Sequence, residues 1–385
     1  MKRTPWWLVG VVSLFLLVAV GVRTCRTPQS DLSDSTATDQ EEFAPGLTLK
    51  DVTLEQQDES GQLLWKVDAE EVTYSPNQEI ANLSNLSGEL YQDGKLLYRV
   101  RADKGTILEN GQTIVLEDNI VATGIQNQMT IKGQTLKWTP EDNVLIVKNG
   151  LSGTHPQIRA VADEARVYDR ENRMELQGNV MATTVVENPQ TEPWLKFQGE
   201  TLQWQWEAET LNSDRPLRVE RFENNQVKEV LVGQKGLVEL AEDRVTLTES
   251  VQAQLLNIPL EMTSKQAIWD VKQQTILAEA NVRVVNKKEK VTVTSQRGEF
   301  NLANQTAFFT EDVLVIGQEN NSRLTSDRLT WNLGEQTVLA EGSVVYQQTN
   351  PQVNIQGPRA RGRIAEQTVV IDGGQVVTEI EPPSN

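Results

Sequence analysis

The sequence predicts an all-β protein, an elongated stack of bent strands preceded by one N-terminal transmembrane helix. Three observations carry this. The stretch from Ser264 to Tyr346 repeats itself with a period of 31 residues, its copies beginning at Ser264, Ser295 and Ser326 and each carrying an aromatic five positions on (Trp269, Phe300, Trp331). Self-similarity at that spacing marks a stack of supersecondary units. From Gly46 onward, short runs of Val, Ile, Leu, Thr and Trp alternate with Asn, Asp, Gly and Gln turns, and no long window holds a helical period. Upstream, Trp6–Val22 is an apolar run without a charge.

In chain order, residues 6–22 are just long enough to span a bilayer, with two Trp at the start where an interface would lie. The expectation is a retained anchor with its N-terminus inside and the bulk of the chain exported. Ala19-Val20-Gly21 leaves a cleaved secretory signal as the alternative. A lipoprotein reading of Cys25 is weaker, because Arg23 and Thr24 stand where small residues are wanted. Residues 23–45 are polar, acidic and aperiodic, and read as a flexible linker.

Ten copies of the repeat follow, indexed by one small residue each: Ala69, Ala102, Gly133, Ala162, Gly199, Gly233, Ser264, Ser295, Ser326 and Gly357. Two positions before the small residue the side chain is apolar, and three and five positions after it come inward pairs such as Leu136/Trp138 and Leu329/Trp331. One face of a strand recurs every second residue, so the change from even to odd offsets implies a bulge or bend. It is expected at the polar residue after the small one, at Asp103, Gln134, Asp163 or Asp327. The second strand has its own signature, as in Leu176-Gln177-Gly178-Asn179-Val180, where Gly and Asn tolerate left-handed geometry and again suggest a bend. Two bent strands per repeat, stacked ten times, make two sheets facing across a groove, and only neighbouring copies can cover each other's apolar face.

Trp138, Trp204, Trp269 and Trp331 share one index position in alternate repeats, and Ile107, Val167, Val238 and Phe300 hold it in the repeats before each of them. Large and small residues alternating to fill a core would produce this pattern. So would a partly filled slot for a long apolar ligand. On the second reading the inward residues of the middle repeats are the candidate acyl-chain contacts: Trp138, Leu202, Trp204, Val238, Met262, Trp269, Phe300, Leu324 and Trp331.

Composition removes other classes. A net charge of −18 argues against nucleic-acid binding. One Cys and one His cannot build a metal cluster or an internal disulfide. No phosphate-binding loop or cofactor motif is present, so no cofactor is expected, and His155 in its Thr/Pro turn reads as a surface residue rather than a general base. Acidic residues recur with the bends, as solvated corners do. A carbohydrate-active β-solenoid enzyme and a structural or adhesive repeat are the rival classes; the reading adopted is non-enzymatic.

The bent repeat with its Leu-x-Gly-Asn-Val signature resembles the LptC/LptA/OstA group of lipopolysaccharide-transport proteins, and the short anchor followed by this repeat resembles LptC in particular. That resemblance implies an open, twisted β-jellyroll in the periplasm, held at the inner membrane by a single pass, with lipid acyl chains sliding through its interior. It implies as partners lipopolysaccharide, LptF and LptG of the LptB/LptF/LptG transporter, and LptA or an LptD-like jellyroll at an exposed edge strand. The chain is longer than a single jellyroll. Its repeat spacing stretches to 37 and then 34 residues between Ala162 and Gly233, around Arg221–Val227. The expected division is therefore an LptC-like half over 46–220 and an LptA/OstA-like continuation over 221–380.

Overall fold

The computed structural model describes residues 47–319, 321–349, 352–364, 366, 368–374 and 376–379. All of them fall in one compact unit, Ala44–Asn385. The expected anchor (6–22) and linker (23–45) lie outside the described residues. Among those described, no helix is long and apolar enough to cross a membrane.

The described residues form 24 strands and two single-turn 3-10 segments, Glu109–Gly111 and Asp169–Glu171. Each strand pairs antiparallel with the next in chain order, from Thr48–Gln57 against Leu63–Tyr74 to Thr337–Thr349 against Gln352–Arg363. Apart from the divided last rung, Thr368–Asp372 and Val377–Glu379 against Gln352–Arg363, one place departs from this simplicity. The rung after Trp194–Gln205 is split into Thr210–Ser213 and Leu217–Glu223, and the next into Gln226–Gly233 and Lys235–Glu239. Arg244–Leu255 pairs with both pieces and restores a single rung. Leu217–Glu223 runs through position 220/221, and hydrogen bonding is unbroken across it.

The bends lie where the second-strand signature puts them. Asp118–Asn119, Asn149–Gly150, Gly178–Asn179, Glu249–Ser250, Ala280–Asn281, Glu311–Asp312 and Gly342–Ser343 all have positive φ, between 47° and 76°. Each pair sits at a register shift and immediately precedes an inward apolar residue, for example Val180, Val282 or Val344. Between Glu279 and Val282 this strand spends three steps where its partner spends two from Arg297 to Ser295, so the extra residue is here. That corrects the expectation of a bulge on the first strand: Asp103, Gln134, Asp163 and Asp327 keep negative φ. The first strand does switch its buried face at these residues, with Val293 and Ser295 buried before the switch and Gly298 and Phe300 after it. Left-handed backbone is cheapest for Gly, Asn and Asp, at least one of which six of the seven pairs contain, Glu249–Ser250 being the exception. The first-strand acids brace the corner: Asn119 Nδ2 donates to Asp103 Oδ2 at 2.6 Å and Asn179 Nδ2 to Asp163 Oδ2 at 2.7 Å.

Each strand thus has two halves, and the stacked halves form two limbs joined at the bend. Both limbs feed one hydrophobic cluster that runs from Trp65 to Ala360. At the far edge of the second limb the turns are stitched together. The N–H groups of Trp206, Leu240, Val271, Leu302, Leu333 and Ile364 donate to the carbonyls of Asn172, Glu209, Asp243, Gln274, Gln305 and Gln336 at 2.8–3.1 Å. All six acceptor residues are left-handed.

The interior trough and its mouth as the candidate functional site

Cross-strand pairing puts six of the expected ligand contacts on one row of the second limb. It runs Ile114, Trp138, Leu145, Val167, Met174, Trp204, Leu211, Val238, Val245, Trp269, Ile276, Phe300, Ala307, Trp331 and Val338, each opposite the next. An indole therefore recurs every fourth rung, with aliphatic side chains between and Phe300 as the one further aromatic. Leu202 lies one inward position back, opposite Leu176. Met262 and Leu324 belong to the opposite limb, on the row Met262, Val284, Val293, Val315, Leu324 and Tyr346.

All nine residues point inward and are buried; the four Trp are 0–2% exposed. Side chains fill the middle of the trough, as alternation of large and small residues at matched positions allows. The indole N–H groups of Trp138, Trp269 and Trp331 are buried without a hydrogen-bond partner, whereas Trp204 Nε1 donates to Gln157 Oε1 at 3.2 Å.

Open space lies at the mouth, where the free edges of the limbs face each other. Toward the C-terminal end a cavity of about 90 Å³ is lined by Val291, Val293, Leu324 and Tyr346 from the first limb and by Leu329, Val338, Ile364 and Val369 from the second. Glu289, Glu319 and Arg363 stand at its rim. An apolar cavity of ~150 Å³ holds one benzene, so this one admits only a short length of chain unless the limbs part. A second cleft, of about 480 Å³, lies at the split rungs between Trp194 and Leu195 on one side and Val238, Leu240 and Val271 on the other. Trp194 stacks on Phe222, ring centroids 4.0 Å apart. Beside them Arg221 makes a buried, bidentate ion pair with Glu229, at 2.6 and 3.0 Å. Of the nine expected residues, Leu324 lines the first cleft and Val238 the second; the other seven line neither.

The apolar row at the mouth was not among the expected contacts. Its signal is nonetheless periodic: Trp206, Leu240, Val271, Leu302, Leu333 and Ile364 each follow a repeat's small residue by seven positions. These residues stand at turns, outside the two-residue period of the strand faces. His155 is half-buried rather than exposed: it packs edge-on against Trp204 at 4.7 Å, and its Nδ1 accepts from the Gln157 N–H at 3.1 Å. Burial lowers its pKa. Among the described residues no group of acids, His and Cys is placed to hold a metal.

No curated protein matches the chain in sequence. Among solved structures it is similar to LptH of Pseudomonas aeruginosa, described as the LptA-homologous periplasmic component of a lipopolysaccharide transport device. The identity is 10%, the TM-score 0.19, and the match covers 41% of this chain and 94% of that one. The model of the family described as lipopolysaccharide-assembly, LptC-related, matches residues 12–145 and 285–381, more than half of the chain. The chain is a member of the LptC-related family of lipopolysaccharide-assembly proteins.

Proposed function

We propose that this protein is a non-catalytic lipopolysaccharide carrier. It takes the lipid from the LptB/LptF/LptG transporter in the inner membrane and passes its acyl chains along the trough toward the outer membrane. Residues 6–22 anchor it by a single pass and the folded body lies in the periplasm. The two halves, 46–220 and 221–380, act as one conduit. Supporting this most directly is the single apolar cluster that continues through the split rungs, past the buried Arg221–Glu229 ion pair. Energy for movement comes from the transporter.

The end strands suit the partner contacts. Thr48–Gln57 is paired on one side by Leu63–Tyr74 and, among the described residues, carries no strand on the other. At the opposite end the last rung is two short pieces, Thr368–Asp372 and Val377–Glu379. Open edges of this kind accept a further strand from another chain. One end would meet LptF and LptG, the other LptA or an LptD-like jellyroll. Leu324, Val238 and the aromatic row from Trp138 to Trp331, with Leu202, Met262 and Phe300, would touch the acyl chains once the limbs part.

Photocrosslinkers placed at Leu324, Val238 and Trp331 of the full-length membrane form should capture lipopolysaccharide. A folded chain that captures none of it would refute the carrier reading and favour a structural or adhesive repeat. Loss of an activity on replacing a single carboxylate would favour an enzyme.

A further inference from the structure

The mouth is not the same along its length. At seven positions past the small residue, the repeats from Gly199 onward carry Trp206, Leu240, Val271, Leu302, Leu333 and Ile364. In the repeat that begins at Ala162, that position is Asp169. Its Oδ1 accepts from the Tyr98 hydroxyl at 3.0 Å and from Asn127 Nδ2 at 3.1 Å; Asn127 Nδ2 also donates to the Tyr98 oxygen at 2.8 Å. Oδ2 is buried and has no partner.

These bonds cross the mouth. Strands alternate in direction, so turns 92–95, 124–130 and 154–158 lie at the edge of the first limb, and turns 108–113, 139–144, 168–173 and 205–210 at the edge of the second. Tyr98 and Asn127 belong to the first edge and Asp169 to the second. The same crossing is made by Arg170 Nη2 to Asp93 Oδ1 at 2.7 Å and by Trp65 Nε1 to the Gly111 carbonyl at 2.8 Å. It is made again by Gln157 Nε2 to the Trp206 carbonyl at 3.0 Å, and by the side-chain amides of Gln92 and Asn143. From Trp65 to Trp206 the limbs are laced by polar contacts. Beyond Trp206 the seventh-position side chains at the mouth are apolar, charged residues such as Arg221, Glu229, Glu289 and Arg363 stand along the same edges, and there the two clefts open.

We infer that Asp169, held by Tyr98 and Asn127, is a positioning residue that latches the N-terminal half of the trough shut, so that an acyl chain enters sideways only through the C-terminal half. The latch follows from residues joined across the mouth at an index position that is apolar from Trp206 onward. The lipid part rests on the carrier reading above. A hydrogen bond to a buried carboxylate resists opening more than apolar contact does, because parting the limbs strands a desolvated acceptor until water reaches it. Two limbs bonded at both the bend and the rim make a closed pipe; limbs that meet at the rim mainly through apolar side chains hinge more readily.

The test uses the full-length chain with Cys25→Ser and spin labels at Lys95→Cys and Asp142→Cys, exposed positions on opposite edges beside the latch. Tyr98→Phe with Asp169→Leu should add a longer-distance population, raising the open fraction about tenfold. Asp169→Asn, which still accepts from Tyr98, should restore the parent distance. In parallel, a photocrosslinker at the buried Leu116 should capture lipopolysaccharide about tenfold better in the double variant, while capture at Leu324 stays constant. An unchanged distance, or equal capture at Leu116 with and without the latch, overturns the inference. Absence of capture at Leu324 in every form sinks the carrier reading, and the label distances then decide the latch alone. If the double variant does not fold, Tyr98→Phe, which removes one oxygen, carries the same measurements.

Discussion

Asp169 should make the protein less stable as the pH rises from 4 to 6. Burial pushes its carboxyl up from 3.8 to about 6, against the lowering effect of the Tyr98 and Asn127 hydrogen bonds. Between those two values the folded chain holds a proton that the unfolded chain has released, so unfolding releases it and stability falls with rising pH. The contribution is whole below about pH 4 and is lost above about pH 6. A shift of that size corresponds to about 3 kcal/mol at 1.36 kcal/mol per unit. Asp169→Asn cannot titrate and should abolish this component. Urea unfolding followed by tryptophan fluorescence at pH 4, 5, 6 and 7 would measure it as the difference between parent and variant. The difference matters because other carboxylates work the opposite way. Hydrogen bonds from Tyr91 and Lys148 depress Glu89 and Glu164, whose stabilisation is lost as the pH falls. Parallel profiles for parent and Asp169→Asn would refute the reasoning, and would mean that the carboxylate is well solvated in the folded chain.

Other consequences can be checked by the same unfolding assay. Gly178 and Gly342 have φ of +74° and +76°, and a Cβ on either would collide with the carboxylate of Asp163 or Asp327. Replacement by Ala should cost about 1–3 kcal/mol. Gly150→Ala should cost less, since at the same φ of +74° its Cβ meets nothing. Trp269→Ala should cost about 3–5 kcal/mol by opening the filled row. Trp269→Phe should cost far less, because it also removes a buried N–H that lacks a partner. Glu229→Gln should cost up to about 3 kcal/mol, because the buried Arg221 charge then keeps only its ion pair with the more exposed Glu223, and replacing both Arg221 and Glu229 with apolar residues should recover most of that loss.

Much of this architecture could be read from local chemistry. The small-residue index, the change of parity after it and the left-handed pair before an inward apolar residue, which contains Gly, Asn or Asp in six of seven cases, are short-range constraints. Each states a backbone requirement that few residue types meet, so it survives in the linear pattern. The side of the bend was harder. The parity change is visible on the first strand, but the inserted residue belongs to its neighbour, and only the paired register of Glu279–Val282 against Arg297–Ser295 assigns it. The inward positions of Trp138, Trp204, Trp269 and Trp331 were legible for the same local reason. How full the trough is was not, since fullness depends on what the opposite limb contributes.

The sequence by itself determined the strand periodicity, the ten-copy count, the inward rows and the bend-forming pairs, because each follows from steric preferences within a few residues. The tertiary structure alone decided that Val238 and Leu324 border open space while the indoles lie in a packed row. It alone decided that Asp169 meets Tyr98 across 71 positions of chain. Both depend on the two limbs closing over one another, and the distance between their edges is a property of the whole stack that no single repeat encodes.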